Sequence, residues 1–283
     1  MHSSFMDFDF GKIHYLHCSA DKKKTLLFLH SFNSSAASFS VVCELLKNQF
    51  NLYCLDFPGH GLTPHLDVRK YSQYYSVSGL TAVLIEFVER LKLKNLYILG
   101  NSMGGNAAVR AVPSLEVIEG LILMGSIQAK TKESLFNIMF PTAPLEVLFK
   151  PELSDQEIEV LTRAYVYESK EAQEAFKQMS HDIRSTDSKF REYFGRNLET
   201  QEWVDEIQIL KNRAIPFLYI LGLNDGFINS QFYKKLLLEE GFPESQIKIV
   251  DQAGHAVHLS KPHLCAKLIA EFIYGDHSVE NSS

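Results

Sequence analysis

The chain has 283 residues, of which 46% are hydrophobic, and a formal net charge of −6. This length and composition suit a folded protein with a sizeable core and exclude a disordered or fibrous chain. The small and dispersed negative charge does not favour nucleic acid as a partner.

The cysteines and the apolar runs indicate the cellular compartment in which the protein is expected. Cys18, Cys43, Cys54 and Cys265 lie in apolar segments without Cys-x-x-Cys spacing, which favours free thiols over disulfides or metal ligands. No apolar run approaches the roughly 20 residues of a membrane helix, and the first ten residues lack the apolar run of a secretory signal. We expect a soluble, cytoplasmic protein without a transmembrane segment; the sequence does not specify its oligomeric state.

Strand and helix patterns alternate in the first half of the chain. Residues 5–16 alternate apolar and polar side chains around Gly11 and predict a β-hairpin at the edge of a sheet. Beyond it, near-continuous apolar runs predict buried strands, and runs with helical spacing predict helices between them. The predicted strands are 25–30, 51–56, 96–99 and 117–124, and the predicted helices are 39–47, 71–91 and 106–112. This alternation is typical of a parallel sheet with helices on both faces.

The alternation stops between about residues 127 and 212, where only helical patterns occur, including 155–167, 171–179 and 189–197. We expect this all-helical lid insertion, called the cap below, to lie over the carboxyl edge of the sheet. Alternation resumes with predicted strands at 216–222 and 246–250 and predicted helices at 230–240 and 262–274. The predicted division is a core of residues 1–126 and 213–275, a cap of residues 127–212 and a disordered tail of residues 276–283.

A Gly-x-Ser-x-Gly turn, residues 100–104, lies between a predicted strand and a predicted helix. Such a turn forces its serine into strained backbone angles, and side chains at Gly100 or Gly104 would collide with the neighbouring strand and helix. The Ser102 hydroxyl is therefore expected to project with little steric cover. We predict that Ser102 is a nucleophile.

A serine hydroxyl needs a base to take its proton near neutral pH. His255 lies on a glycine-containing loop after the last predicted strand, which is the position expected for that base. His258 is an alternative, although we expect it to pack at the start of the last helix. Asp225 follows the preceding strand and is the expected acid that orients the imidazole. Asp251 is a rival acid that ends a strand.

Acyl transfer also needs donors for the developing oxyanion. We expect the backbone N–H groups of Met103, at the start of a helix, and of Phe32, in the loop after an early strand, to supply them. The Phe32 ring is explained equally well by pocket lining and by core packing. Ser31 and Asn101 are the other candidates for the substrate pocket.

Five segments stand out in chain order: His30-Ser31-Phe32 and residues 56–61, 100–105, 222–225 and 254–258, which read HSF, DFPGHG, GNSMGG, GLND and GHAVH. Together they resemble the successive signatures of the α/β-hydrolase superfamily over essentially the whole chain. The resemblance implies the α/β-hydrolase fold, with a mostly parallel eight-stranded sheet, and gives His60 a structural role. It also implies a triad of Ser102, Asp225 and His255. Ser31 departs from the usual glycine of the family and alters the oxyanion loop, where its hydroxyl could add a donor.

The identity of the predicted nucleophile limits the classes of reaction that the protein could catalyse. Serine at position 102 argues against haloalkane dehalogenases and epoxide hydrolases, which use a carboxylate nucleophile. Residues 32–39 and 185–190 look similar to the metal-free acyl-homoserine lactonases of this fold, and the His-x-His-x-Asp-His pattern of metal-dependent lactonases is absent. We therefore predict a hydrolase of carboxylic esters or lactones of small to medium acyl substrates, without a metal or other cofactor.

Other functions stay open at this point. The GNSMGG segment also resembles carbon–carbon bond hydrolases that act on ring-fission products, although the glycine-rich loop usual in those enzymes is missing. Some proteins of this fold are ligand receptors, although a pure binder would not require all three triad residues. Apolar cap residues could contact an acyl chain, although helix packing explains most of them; they are Leu135, Phe136, Ile138, Met139, Phe140, Leu145, Leu148 and Phe149.

Overall fold

One eight-stranded sheet organises the molecule. The structure, a computed structural model, describes residues 1–19, 21–140, 144–170, 172–200, 203–213 and 215–275. The strands are β1 (His2–Phe8), β2 (Gly11–Cys18), β3 (Thr25–Leu29), β4 (Asn51–Leu55), β5 (Leu96–Asn101), β6 (Ile118–Met124), β7 (Phe217–Gly222) and β8 (Ile247–Val250). They lie in the order β1-β2-β4-β3-β5-β6-β7-β8.

The sheet is mostly parallel, as predicted. β1 and β2 form the antiparallel edge hairpin, β2 pairs antiparallel with β4, and the remaining pairs are parallel. Strands covered on both faces need apolar side chains on both, and β3 and β7 are buried at every position. Because the carboxyl ends of parallel strands meet at one edge, the loops after β3, β5, β7 and β8 converge there.

Helices cover both faces of this sheet. Residues of α1 and α13 pack in one buried cluster, and residues of α3, α4 and α11 pack in the other. In the described part of the chain the helices are α1 (Ser40–Leu46), α2 (Val68–Tyr71), α3 (Val77–Arg90), α4 (Met103–Ala111), α5 (Lys132–Ile138), α6 (Leu145–Leu148), α7 (Asp155–Tyr165), α8 (Gln173–Ser185), α9 (Ser188–Thr200), α10 (Glu206–Asn212), α11 (Ser230–Glu239), α12 (Val257–Ser260) and α13 (Pro262–Tyr274).

Some helix bounds differ from the prediction. α3 begins at Val77 rather than at residue 71, because the Ser76 side chain accepts a hydrogen bond from the Gly79 amide and caps the helix. α8 continues past residue 179 to Ser185, since Asp182 and Ile183 keep its buried face in register. The predicted helix start at residue 171 and the predicted tail at 276–283 lie outside the described residues.

The segment between β6 and β7 contains helices α5 to α10, in agreement with the all-helical pattern there. Two buried carboxylates connect it to the rest of the molecule. Asp182 Oδ2 accepts a hydrogen bond from Ser35 Oγ at 3.0 Å, and Asp187 Oδ2 accepts one from Tyr75 Oη at 2.6 Å. Burial raises the pKa of Asp182 to about 7. The bounds of the cap as a separate unit, residues 127–212, stay a prediction.

All four cysteines are free thiols, as predicted, and Cys43, Cys54 and Cys265 are buried. The sulfur atoms of Cys43 and Cys54 lie 3.4 Å apart. Within the described ranges, no helix is both long enough and apolar enough to cross a membrane.

Candidate active site

Ser102 occupies the turn between β5 and α4, with φ of 52° and ψ of −118°. A residue other than glycine rarely adopts a positive φ, and such strain costs on the order of 1–3 kcal/mol. Hydrogen bonds hold the turn: the Ser102 amide donates to the Met124 carbonyl oxygen at 2.8 Å, and Ser126 Oγ donates to the Ser102 carbonyl oxygen at 2.9 Å. The serine is thereby held at the carboxyl edge of the sheet, where it lines a cavity.

The two glycines of the turn are required by close backbone contacts. A Cβ at Gly100 would lie 2.5 Å from the backbone of Gly104 and Gly105, and a Cβ at Gly104 would lie 2.5 Å from the Leu29 carbonyl oxygen. Real Cβ atoms essentially never come this close to backbone atoms. The motif therefore packs α4 directly against β5 and β3, which is the collision expected from the sequence.

Asp225 and His255 lie together on the loops after β7 and β8. His255 Nδ1 and Asp225 Oδ2 are 2.7 Å apart, and both side chains are buried. Asp225 Oδ1 accepts hydrogen bonds from the Phe227 and Ile228 amides at 2.8 and 2.9 Å. Both carboxylate oxygens are thus occupied, so the carboxylate has a fixed orientation toward the imidazole. His255 lines the same cavity as Ser102.

The rival base and the rival acid have other environments. His258 is stacked on Phe39 with ring centroids 4.3 Å apart, and its ring nitrogens face Met124 Sδ and Ser38 Oγ, both at 3.3 Å. Burial lowers the pKa of His258 to about 3, so its imidazole is neutral near pH 7. Asp251 is exposed, and its Oδ1 accepts a hydrogen bond from the Gln252 amide.

Phe32 and Met103 both line the cavity. Among the described residues, neither the Phe32 amide nor the Met103 amide donates a hydrogen bond to the protein. The Met103 amide belongs to the first residue of α4, where helix amides lack intrahelical partners. Two residues that line the cavity with Ser102 thus have backbone N–H groups without an acceptor in the described part of the chain.

The loop after β3 is fixed by His30. Its Nδ1 donates to the Ser31 carbonyl oxygen at 2.8 Å, and its Nε2 accepts from the Phe57 amide at 2.9 Å. These partners assign a neutral imidazole with the proton on Nδ1. Burial lowers the pKa of His30, which agrees with a neutral ring.

The structure differs from the sequence-based expectation for Ser31 and Asn101, which both lie outside the lining of the cavity. The Ser31 hydroxyl is buried and donates to the Phe32 carbonyl oxygen at 3.3 Å. Asn101 Nδ2 donates to the carbonyl oxygens of Met124 and His255, at 2.9 and 3.2 Å. The Asn101 amide nitrogen therefore connects β6 to the loop of His255. His60 is buried against Phe190, with ring centroids 4.3 Å apart, as expected of a structural residue.

Tyr165, at the end of α7, connects the cap to the loop of Phe32. Its hydroxyl donates to the Phe32 carbonyl oxygen at 2.7 Å. Its ring packs edge-on against His255, with centroids 5.4 Å apart, and its carbonyl oxygen accepts from the Ala256 amide at 2.9 Å. One cap residue thus contacts both the loop of Phe32 and the loop of His255.

The cavity has a volume of about 110 Å³. A single water needs roughly 10–15 Å³, so the cavity has room for a ligand of several heavy atoms. Ser102 and His255 lie in a wall that is otherwise mainly apolar and aromatic. Six of the eight apolar cap residues considered above as acyl contacts belong to this wall: Leu135, Phe136, Met139, Leu145, Leu148 and Phe149. Ile138 and Phe140 lie outside it.

Two polar residues of α4, Asn106 and Arg110, also line the cavity. Arg110 Nε donates to Glu206 Oε1 at 2.6 Å, and Asn106 Nδ2 donates to Glu206 Oε2 at 2.6 Å. The Arg110 and Glu206 side chains are only 6% and 1% exposed. Burial raises the pKa of Glu206 to about 6, and Arg110 opposes that rise.

Sequence reasoning missed Tyr165, Asn106 and Arg110. For Asn106 and Arg110 a signal existed, since they follow Ser102 at positions i+4 and i+8 and so share one face of a helix. Tyr165 carried no such signal because its partners are distant in the chain. In the described part of the protein, no group of three His, Cys, Asp or Glu residues is placed to hold a metal ion.

The model of the alpha/beta hydrolase family matches residues 26–268, and the chain belongs to this family. Among curated proteins, the uncharacterized hydrolase YugF of Bacillus subtilis is 26% identical over 283 residues, covering 92% of this chain and 94% of the relative. A monoacylglycerol lipase of Bos taurus is 26% identical over 270 residues, covering 92% of this chain and 78% of the lipase.

Solved structures show the same fold. The N-acyl homoserine lactonase AidH, complexed with N-butanoyl homoserine, superposes with a TM-score of 0.85 over 100% of both chains at 18% identity. An esterase from a Rhodococcus species superposes with a TM-score of 0.78 over 96% of this chain and 98% of the esterase, at 19% identity. The fold and the broad class of ester-bond hydrolase, both predicted from the sequence, are confirmed.

Proposed function

We propose that the protein is a serine hydrolase that cleaves carboxylic esters or lactones through Ser102, His255 and Asp225. The observation that carries this proposal is the 2.7 Å contact between His255 Nδ1 and the fully engaged Asp225 carboxylate, beside a cavity that Ser102 and His255 share. An imidazole held in this way has its Nε2 free to take a proton from a hydroxyl in that cavity.

The proposed reaction begins when Ser102 Oγ attacks the carbonyl carbon of the substrate and its proton passes to His255 Nε2. Asp225 stabilises the imidazolium, and the Phe32 and Met103 amides donate to the tetrahedral oxyanion. Collapse of this intermediate breaks the bond to the alcohol, which takes the proton from His255 and leaves an acyl group on Ser102. Water that loses a proton to His255 then attacks the acyl group, and the acid and free Ser102 result.

The size and lining of the cavity support small to medium acyl substrates. Its wall is mainly apolar, and its volume is about 110 Å³ in the conformation described. The Bos taurus relative is a monoacylglycerol lipase, and AidH is an N-acyl homoserine lactonase. A lipase cleaves an open ester and a lactonase cleaves a cyclic one, and a lactone differs from an open ester only in that the acid and the alcohol stay in one molecule.

A fluorophosphonate probe tests the nucleophile. We expect mass spectrometry to find the adduct on Ser102 in the wild-type protein, and Ser102→Ala to lose turnover by at least about 10³-fold with an unchanged fold. Ser114→Ala changes an exposed serine and is the control. Full esterase activity in Ser102→Ala would contradict the assignment. Folded wild-type protein that forms no adduct would instead indicate a ligand-binding protein.

A substrate series tests the bond that is cleaved. Nitrophenyl esters of increasing acyl length are compared with acyl-homoserine lactones of matched length. Preference for the lactones over every ester would make the protein a lactonase, whereas the reverse order would make it an esterase. Cleavage of a ring-fission dienone with no ester or lactone turnover would show carbon–carbon bond hydrolysis instead.

A further inference from the structure

Ser102, Asn106 and Arg110 lie along one face of α4, each separated from the next by about one helical turn. With a rise of about 1.5 Å per residue, the Cα atoms of Ser102 and Arg110 are roughly 12 Å apart. Helical side chains lean toward the N-terminus, so the Arg110 guanidinium is displaced toward Ser102. All three residues line the cavity. A bound ester that extends along α4 would therefore pass Asn106 and reach Arg110.

The hydrogen bonds of this cluster leave donors unused. Glu206 accepts from Arg110 Nε and from Asn106 Nδ2, each at 2.6 Å, and Asn106 Nδ2 also donates to the Ile127 carbonyl oxygen at 2.7 Å. Both N–H bonds of the Asn106 amide are thereby used. Arg110 Nη1, in contrast, is buried and has no hydrogen-bond partner within the described residues. A buried donor without a partner costs free energy, which an acceptor on a ligand would recover.

We propose that Arg110 is a specificity-determining residue that donates a hydrogen bond to a neutral oxygen of the substrate, such as a ketone, amide or ester carbonyl, located several bonds from the scissile carbonyl. The inference rests on the proposed function, because it places the second oxygen relative to a carbonyl at Ser102. It narrows the substrate class from plain alkyl esters to esters or lactones that carry a second carbonyl group.

The charge balance selects a neutral acceptor over a carboxylate. Glu206 already neutralises Arg110 at 2.6 Å, and both side chains are almost fully buried. A carboxylate would add a second negative charge next to Glu206 in a mainly apolar cavity, which is unfavourable. A plain alkyl chain would leave the Nη1 donor without a partner. A neutral carbonyl avoids both costs.

Matched nitrophenyl esters test the proposal on the wild-type protein. The acyl groups are octanoyl, oxo-octanoyl with the ketone at successive positions, and the half-ester of suberic acid, which ends in a carboxylate at similar length. We expect one ketone position to raise kcat/KM at least about tenfold over octanoyl, and the suberate to be no better than octanoyl. A parallel series with the ketone in the alcohol portion covers the other orientation of the substrate. Equal kcat/KM for ketone and alkyl esters in both series would overturn the proposal.

Variants assign the preference to Arg110. Arg110→Met alone would leave Glu206 buried without its partner, so the test variant is Arg110→Met with Glu206→Gln, and Glu206→Gln alone is the matched control. We expect the double variant to lose the ketone preference, so that its kcat/KM values for the ketone and octanoyl esters differ by less than about twofold, and we expect the control to keep the preference. A preference that persists in the folded double variant would overturn the proposal. If the double variant does not fold, Arg110→Lys, which keeps the charge but not the guanidinium donors, is expected to reduce the preference, and an unchanged preference there would overturn it.

Failure of this inference differs from failure of the proposed function. Octanoyl ester turnover reports on Ser102, His255 and Asp225, whereas the ratio of ketone to alkyl turnover reports on Arg110. Turnover without a preference rejects the role of Arg110 alone. Absence of all Ser102-dependent turnover rejects the proposed function.

Discussion

The Tyr165 hydroxyl donates a hydrogen bond of 2.7 Å to the carbonyl oxygen of Phe32, a residue that lines the cavity. The carbonyl and amide of Phe32 belong to adjoining peptide units, so fixing the carbonyl restricts rotation of the loop that carries the amide. The position of one proposed oxyanion donor therefore depends on a residue of the cap. In the proposed mechanism, this bond couples catalysis to the placement of the cap.

The coupling predicts the effect of Tyr165→Phe. Loss of the hydroxyl frees the Phe32 carbonyl without emptying the space of the ring, so we expect kcat to fall roughly tenfold with a smaller change in KM. Steady-state kinetics on a nitrophenyl ester measures this. Tyr167→Phe is the control, because Tyr167 is half-buried nearby and contacts Ser260 through its backbone amide. A rise in KM alone, with kcat unchanged, would argue against an effect on the oxyanion loop.

Asp225→Asn tests the orientation of the imidazole. The amide oxygen of Asn can still accept from the Phe227 and Ile228 amides, but its NH₂ group would face His255 Nδ1 and favour the wrong tautomer. We expect kcat to fall by about 10³–10⁴-fold with little loss of stability. Asp251→Asn changes the exposed rival carboxylate and should leave kcat unchanged. Comparable losses in both variants would refute the role given to Asp225.

Gly104→Ala tests the packing of α4 on the sheet. The new Cβ would lie 2.5 Å from the Leu29 carbonyl oxygen and 2.8 Å from the His30 carbonyl oxygen, so backbone has to move. We expect the free energy of unfolding to fall by about 1–3 kcal/mol or more, measured by chemical denaturation. Gly195→Ala in α9 is the matched control, since the three heavy atoms nearest to its Cβ would all belong to the Phe149 side chain, the nearest at 3.0 Å. Both substitutions gain helix propensity of about 1 kcal/mol, so equal stability changes would show that the backbone contacts of Gly104 are unimportant.

Asp182 predicts a pH dependence of stability. Its pKa is raised from an ordinary value of 3.8 to about 7 because it is buried. Between these two values the folded state binds a proton that the unfolded state has released, so the contribution of Asp182 to stability falls as pH rises through this window and is constant above it. Asp182→Asn cannot ionise. Relative to wild type, its free energy of unfolding should therefore rise by on the order of 1–3 kcal/mol from about pH 4 to about pH 8.

Parallel stability curves for Asp182→Asn and wild type over that range would contradict a raised pKa. The substitution keeps the size of the side chain, and its amide oxygen can accept from Gln178 Nε2, which donates to Asp182 Oδ1 at 2.9 Å. Loss of packing is therefore a small part of the measured difference. Chemical denaturation at several pH values separates the pH-dependent part from any constant offset.

The parts of the fold that sequence reasoning predicted are those encoded by local pattern. The buried strands produce continuous apolar runs, and the Ser102 turn carries glycines that backbone contacts require. The ends of α3 and α8 were placed less well, because a cap such as Ser76 competes with apolar spacing that continues beyond it. A local sequence pattern therefore predicts those features that are determined by neighbouring residues in the chain.

The candidate active site shows which contacts a sequence pattern does not predict. Asp225 and His255 could be paired in advance because strand topology returns both loops to one edge of the sheet. The contact between Tyr165 and Phe32 could not be predicted in the same way, since it depends on how the cap packs against the sheet. Asn101 is a predicted pocket residue, but its amide nitrogen donates to the Met124 and His255 carbonyl oxygens instead. Which way a side chain faces at a crowded edge is decided by tertiary partners.

The cap helices all lie in one connection between two strands, and this position affects how the substrate range of the protein can change in evolution. The chain leaves the sheet after β6 and returns through α10, which packs against α4, to β7, the parallel neighbour of β6. Helices α5 to α9 therefore lie within the single crossover connection between β6 and β7. A change in their length or sequence leaves the order of the strands and the register of their pairing unchanged. The three proposed catalytic residues lie outside this crossover, whereas much of the cavity wall lies inside it. Exchange of the crossover by recombination or design should thus alter substrate range and keep the three proposed catalytic residues, provided that the new segment supplies a donor in place of Tyr165 for the Phe32 carbonyl oxygen.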